Sequence, residues 1–228
     1  MATGPRQITD LEVSWDELVY HEDALLLDPL TADLAPAVAP LLTERGEVVR
    51  RKQDARRQVL RAQAVYNNVN YRADKGVTDF AWSIRSVDQN KKTRLQRYFK
   101  IAPSKLAQRA LAFMAKTMKS WIGGIAAEPE AEIQRHAPIL DGLADEASNA
   151  VVGVAQAEGG VKDVDSQAVK SYLNRVNAFR LKLQGQLQQR ASDNGLGAEW
   201  VDKFFKPSAT RTKKRATEDT TVPEESPT

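Results

Sequence analysis

The chain has 228 residues, of which 42% are hydrophobic and 28% are charged, a composition typical of soluble globular or helix-rich proteins. It contains no cysteine, which excludes disulfides, thiolate metal sites and a cysteine nucleophile. No stretch reaches the roughly 18 consecutive apolar residues of a membrane-spanning helix. The opening MATGPRQITDLEVSWDE lacks the basic and apolar regions of a secretory signal. We therefore expect a cytoplasmic protein.

The charges are segregated along the chain, although the net charge is only +3. Residues 1–34 are acidic, with Arg6 as their one base, whereas residues 89–127 contain many bases and no acid. Such a basic span either binds an acidic partner or is neutralised within its own assembly. We predict neutralisation: the acidic arm 10–33 lies against helix 104–122, or against that helix of a neighbouring subunit. Its apolar anchor would be Trp15, Leu18 and Val19.

The first predicted elements are an acidic arm with a short helix, residues 1–28, and a long helix behind Pro36 and Pro40. From Leu41 to Val87, apolar residues can be read at steps of three, four and seven, the spacing of one helix face. Proline is accommodated at the start of a helix but not in its interior. The pattern therefore predicts a helix over 40–86, continuous through Gly76.

Further helices are predicted over 104–126, 129–158 and 163–191. Pro138 predicts a kink or restart inside the second of these. The sequence Glu158-Gly159-Gly160 predicts a helix end, because glycine commonly follows the last helical residue. No segment alternates with period two for the length of a strand. The patterns predict an all-α protein, an elongated antiparallel bundle resembling a coiled coil, with short connections between neighbouring helices.

An internal repeat is indicated by LQRYFK at 95–100, which is echoed by VDKFFK at 201–206. The same offset aligns Tyr66 with Tyr172 and two loop signals with each other without a gap. We interpret this as a duplication. Each copy would end in a short helix whose paired aromatic residues are buried and close the bundle: Tyr98, Phe99, Phe204 and Phe205.

Five segments are therefore predicted. The last of them is disordered because Ser, Thr, Pro and charged residues dominate it. In chain order the segments are the acidic arm, 1–28; repeat 1, with a long helix and an aromatic capping helix, 29–103; a basic amphipathic helix, 104–128; repeat 2, with a helical hairpin and a second aromatic capping helix, 129–206; and the tail, 207–228.

Sequence motifs for catalysis are lacking: the chain has no GxxxxGK[ST], GxGxxG, HExxH or GxSxG. His21, in the acidic arm, is predicted to be a surface histidine. His136 follows Glu132 by one helical turn, but a di-iron bundle needs a Glu-x-x-His element on each of two helices, so a surface position is predicted here too. We expect no enzymatic activity, catalytic residue, metal, cofactor or small-molecule substrate.

The candidate interaction surface is the basic span. Helix 104–122 has an apolar side and a basic side, typical of a bundle helix and also of a helix on an anionic membrane. NKKTRLQRYFK at 90–100 mixes bases with aromatics as nucleic-acid-binding surfaces do, but its echo AEWVDKFFK contains acids, which favours a packing role. RTKKR at 211–215 is followed by acids that cancel it. The candidate residues are Lys91, Lys92, Arg94, Arg97, Lys105, Arg109, Lys116 and Lys119.

Taken together, these patterns predict a non-enzymatic helical-bundle protein that acts through protein–protein contacts, as a scaffold, an adaptor or a self-assembling structural subunit. A protein partner or self-association is expected. The alternative is a protein that binds nucleic acid or an anionic membrane surface through the acid-free span 89–127.

Overall fold

The structure is a computed structural model that describes residues 5–87 and 91–207, without the side chains of Lys91 and Lys92. The residues it describes form helices and no strand, which confirms the all-α helical bundle. Within this part of the chain, no helix is long and apolar enough to cross a membrane. The loop signal at 88–90, the basic cluster 211–215 and nearly all of the predicted tail lie outside the described residues.

The helices differ greatly in length, from single turns to the 49-residue α2. A 3-10 segment, Ala32–Ala37, precedes α2, and a π-helical segment, Val164–Val169, separates α7 from α8. The α-helices are α1 Leu11–Leu26, α2 Ala39–Val87, α3 Lys91–Tyr98, α4 Pro103–Leu106, α5 Leu111–Ala126, α6 Ala131–Gln134, α7 His136–Asp163, α8 Lys170–Asp193 and α9 Ala198–Asp202.

The chain forms two compact units. Unit 1 comprises the described residues up to Lys52 together with those from Val164 onward, and unit 2 comprises Gln53–Asp163. Segments 29–103 and 129–206 of the predicted organisation each contribute to both units, because α2 and the α7–α8 run pass from one unit into the other.

Unit 1 has its own hydrophobic core, built from α1, the start of α2, α8 and α9. The α1 helix begins at an Asp10 N-cap, whose carboxylate accepts hydrogen bonds from the backbone N–H groups of Glu12 and Val13, a strong helix-start arrangement. The core side chains include Leu18, Leu25, Val48, Tyr172, Val176, Leu187 and Phe204.

Unit 2 is organised around Phe80, whose ring packs against Tyr98, Phe99 and Trp121 at centroid distances of 5.2–5.8 Å. Helix α5 packs along α7, and α2 runs antiparallel to α7. The register is fixed by three contacts: Ser83 with His136, Gly76 with Leu143, and Arg72 with Glu146.

The predicted helix end at Glu158-Gly159-Gly160 is wrong, and so is the hairpin predicted for 129–206. Helix α7 continues through both glycines to Asp163, and α8 follows the π-helical segment in the same run. Glycine ends a helix when it adopts a left-handed conformation. Among the described residues only Gly195 has a positive φ, 66°, so the glycines of α7 only weaken the helix.

Other expectations on the helices have mixed outcomes. Helix α2 is continuous through Gly76, as predicted, and the restart predicted at Pro138 is confirmed, since α7 begins at His136. The single helix predicted over 104–126 is wrong, because it is divided into α4 and α5. Three of the four paired aromatics are buried, and Phe205 is half-buried. The duplication itself stays a prediction.

Candidate interaction surfaces

Three of the eight candidate basic residues are engaged in ion pairs within unit 2. Arg94 lies 3.5 Å from Glu128 and 2.9 Å from Glu130, and Arg97 lies 2.9 Å from Glu128. Lys119 on α5 contacts Asp141 and Asp145 of α7, at 2.5 and 2.8 Å. This part of the basic span is therefore neutralised inside its own unit, by acids that follow it in sequence.

The carboxylate of Glu128 explains why two arginines gather at this point. Glu128 is only 3% exposed, and the hydroxyl of Tyr98 donates a 2.6 Å hydrogen bond to it. Burial, followed by the hydrogen bond and negative charge of Glu128, raises the pKa of Tyr98 to about 12. A buried carboxylate is tolerated when it is paired and hydrogen-bonded, so Arg94 and Arg97 have a structural role here.

Three other candidates remain at the surface. Lys105, Arg109 and Lys116 are exposed, and the ion pairs found among the described residues do not include them. Phe113 lies among them in sequence with 51% of its surface exposed. Lys91 and Lys92 belong to α3, but their side chains lie outside the described residues.

The acids of the arm find ion-pair partners within unit 1, and the contact predicted between the arm and helix 104–122 stays a prediction. The arm belongs to unit 1, where four ion pairs tie its acids to α8 and to residues around α9. The reason is that unit 1 supplies both cations and an apolar surface for α1. The pairs are Glu17–Arg180 at 2.9 Å, Asp33–Arg190 at 2.6 Å, Asp28–Lys203 at 2.6 Å and Asp16–Lys206 at 2.8 Å.

The three predicted anchor residues have different environments. Leu18 is fully buried in the core of unit 1 and Val19 is half-buried, whereas Trp15 is 44% exposed. The guanidinium of Arg45 lies 5.1 Å from the Trp15 ring centroid. A further anchor, which was not recognised in the sequence, is Ile8: it is 4% exposed, and its backbone N–H and C=O both hydrogen-bond to the side chain of Asn177.

His21 was predicted at the surface, but it is completely buried. Its Nδ1 lies 2.7 Å from the carbonyl oxygen of Phe204, and Nε2 lies 3.1 Å from Nε of Arg180. Because a guanidinium only donates, Nε2 accepts and Nδ1 carries the proton that is donated to Phe204. Burial lowers the pKa of His21 to about 4, with the Arg180 charge acting in the same direction. The prediction failed because i,i+3 and i,i+4 spacing from Leu18 and Leu25 places His21 on the buried face.

His136 is also buried rather than exposed, at 5%. Its Nε2 lies 2.8 Å from the hydroxyl oxygen of Ser83, and its ring packs 5.5 Å from that of Phe80. Burial is the main cause that lowers the pKa of His136, and Arg135 adds to it. The pair holds α2 to α7. Within the described chain, no group of three His, Asp or Glu side chains is arranged to hold a metal ion.

A groove between α2 and α7 in unit 2 was not recognised in the sequence. Its volume is about 680 Å³, and it is lined mostly by apolar atoms. Arg72 and Glu146, joined by two hydrogen bonds of 2.6 and 3.2 Å, lie on its two walls. The signal that could have revealed it is the set of small and amide residues at helical spacing. The lining residues are Ala62, Ala64, Val65, Asn68, Val69, Arg72, Glu146, Asn149, Ala150 and Gly153.

Comparison with known proteins identifies no relative: no family model, no curated protein and no solved structure matches this chain.

Proposed function

We propose that this chain is a non-enzymatic helical-bundle protein that acts through protein–protein contacts, as a scaffold, adaptor or self-assembling subunit, and that the α2–α7 groove is its contact surface. The observation that carries the proposal is the groove itself: it is open and mostly apolar, and Val65 on its wall is 55% exposed. Apolar grooves between helices are a recurrent docking site for a partner helix.

The chemistry of the walls favours a protein over a small molecule. A small-molecule site usually encloses its ligand and places several polar groups around it. Here the polar groups are the two exposed amides of Asn68 and Asn149 and the ion pair Arg72–Glu146, which already satisfies itself. The alanine, valine and glycine residues of the walls are small and leave a shallow surface on which a helix can pack closely.

Photo-crosslinking tests this assignment. A photoreactive amino acid replaces Val65 in one variant and Leu60 in a control. Leu60 is 60% exposed and lies on the opposite side of the same helix by its spacing. Adducts formed in the source cells are identified by mass spectrometry. We expect protein adducts from position 65 that position 60 does not give, and identical adduct patterns would refute the assignment.

A second candidate function is favoured by four exposed residues that lie close together in sequence, Lys105, Arg109, Phe113 and Lys116. Exposed bases around an exposed aromatic ring are suited to a single-stranded nucleic acid, which offers phosphates and stacking bases. The test measures binding of single-stranded DNA, RNA and anionic vesicles at two salt concentrations. Nucleic-acid binding that weakens steeply with salt and is lost when the three bases are changed to alanine supports this function. Binding to vesicles alone points to a membrane surface instead, and no binding at low salt rejects both.

A further inference from the structure

Three of the glycines on α7 have no packing role among the residues that the structure describes. Gly142, Gly153 and Gly160 are separated by eleven and seven residues, so they share one stripe of the helix, and Glu146 and Asn149 belong to the same stripe. A Cβ atom added at any of the three would meet nothing within 4 Å. An interior glycine destabilises a helix relative to alanine. Close approach of another backbone is a reason for glycine at such positions.

The opposite wall of the groove carries a side chain that protrudes. Val65 lies on the α2 stripe that includes Arg61, Asn68 and Arg72, and it is 55% exposed. The contact between Arg72 and Glu146 and the antiparallel direction of the helices place Val65 level with Gly153. The same register places Asn68 level with Ala150, one residue from Asn149. One wall thus has a protrusion at the height at which the other wall has a gap.

We propose that the occupant of the groove is a second copy of this chain, related to the first by a two-fold axis parallel to α2 and α7. This inference rests on the proposed function and names its partner. Such an axis preserves height along the helices and brings α2 of one copy over α7 of the other. Val65 then enters the space over the partner's Gly153. All neighbouring helices of the resulting four-helix unit are antiparallel, as in common bundles.

The polar groups of the groove are matched by the same operation. Asn68 comes within one residue of the height of the partner's Asn149, and two amides can exchange hydrogen bonds, which is a known way to fix the register of paired helices. Arg72 meets the partner's Glu146, so the Arg72–Glu146 pairs of the two copies join into one network of two arginines and two glutamates. A contact between identical surfaces requires this self-complementarity.

Charge favours the two-fold axis parallel to the helices over a two-fold axis perpendicular to them. The groove stripe of α2 carries Arg61 and Arg72 and no acid, whereas the glycine stripe of α7 carries Glu146 and no base. A two-fold axis perpendicular to the helices would place the basic α2 on its own copy, where like charges repel. The parallel axis places the basic helix on the acidic one. Charge complementarity therefore identifies both the occupant and its orientation.

Light scattering during gel filtration measures the mass. We expect twice the 25.3 kDa chain mass for the wild type. Val65→Glu and Gly153→Leu should raise the dimer dissociation constant ~100-fold or more, since each acts at the centre of the contact. The matched controls Leu60→Glu and Gly185→Leu should remain dimeric, because Leu60 faces away and Gly185 lies in α8 of unit 1, also with nothing within 4 Å. Circular dichroism verifies that each variant is folded.

The orientation has its own test, because the native chain has no cysteine. Val65→Cys and Gly153→Cys chains are prepared separately and then mixed under oxidising conditions. The parallel axis predicts a disulfide-linked dimer in the mixture and none with Val65→Cys alone. A disulfide between two Val65→Cys chains would overturn the proposed orientation.

The failure of this inference can be distinguished from failure of the proposed function. A wild-type mass of 25.3 kDa at high micromolar concentration overturns the dimer. If crosslinking from position 65 then captures a different protein, the groove is still a protein-binding surface. A monomer without adducts specific to position 65 rejects both.

Discussion

The imidazole of His21 and the backbone carbonyl of Phe204 are joined by a 2.7 Å hydrogen bond in the core of unit 1. The two residues are 183 positions apart, so the bond fastens the acidic arm to the segment after α9. Because His21 is buried and also accepts a hydrogen bond from Arg180, the site is built for the neutral ring. This makes the attachment sensitive to pH.

The stability of the chain should fall as the pH decreases from 6.5 toward 4. The pKa of His21 is about 4 in the folded chain and 6.5 as its ordinary value, so in this range the unfolded chain binds a proton that the folded chain does not. The resulting loss is roughly 3 kcal/mol at and below pH 4. Urea titrations of the wild type and His21→Gln at pH 7 and pH 4.5 measure it. The variant should lose less stability than the wild type, and equal losses would contradict the prediction.

Arg180 should be among the most sensitive positions in unit 1. It is 3% exposed and donates to Glu17, to His21 and to the carbonyl oxygen of Arg6. We expect Arg180→Met to reduce the free energy of unfolding by about 3–5 kcal/mol. The substitution removes the buried guanidinium and leaves the Glu17 carboxylate without its countercharge. The control is Arg175→Met on the same helix, whose ion pair with Glu44 is exposed and should contribute about 1 kcal/mol or less. Equal effects in chemical denaturation would contradict this.

Gly76 is required for the close approach of α2 and α7. A Cβ atom at this position would lie 2.7 Å from Cδ1 of Leu143, which is itself 6% exposed. We expect Gly76→Val to destabilise unit 2 by about 1–3 kcal/mol through overpacking. Gly46→Val on the same helix meets nothing within 4 Å and serves as the control. The measurement is the melting temperature of each variant in thermal unfolding. A melting temperature of Gly76→Val as high as that of Gly46→Val would show that the core can expand at this position and would contradict the prediction.

Tyr98→Phe isolates the hydrogen bond to Glu128. The substitution keeps the ring in its packing against Phe80 and Trp121 and removes one of the donors to a buried carboxylate. A hydrogen bond to a charged group contributes about 1.5–3 kcal/mol, which is the expected loss of unfolding free energy. Tyr71→Phe, at a position 69% exposed, should be neutral within about 0.5 kcal/mol. If both variants behave alike in urea denaturation, the bond is not stabilising.

Part of this structure was predictable because it depends on local properties of the chain. The apolar spacing from Leu41 to Val87 specifies a helix face wherever that face packs, and proline at 138 cannot lie in a helix interior. Burial of Tyr98 and Phe204 followed from the paired aromatics at the ends of helices. These features need no knowledge of what lies opposite each residue.

The candidate sites were less predictable because they depend on which helix faces meet. The sequence shows that Arg94 and Arg97 are basic, but their pairing with Glu128 arises only when the segment after α5 folds back on α3. The groove likewise consists of residues from α2 and α7 that are about 80 positions apart. No window of the sequence contains both of its walls.

The sequence by itself determined that the chain is helical and where proline restarts a helix, because periodicity and backbone geometry are encoded residue by residue. Only the tertiary structure decided that α7 continues through Gly159 and Gly160, that both histidines are buried, and that the acidic arm belongs to unit 1. Each of these outcomes is a competition between surfaces distant in sequence. Such a competition is settled by the apolar area and the charges that each surface meets after folding.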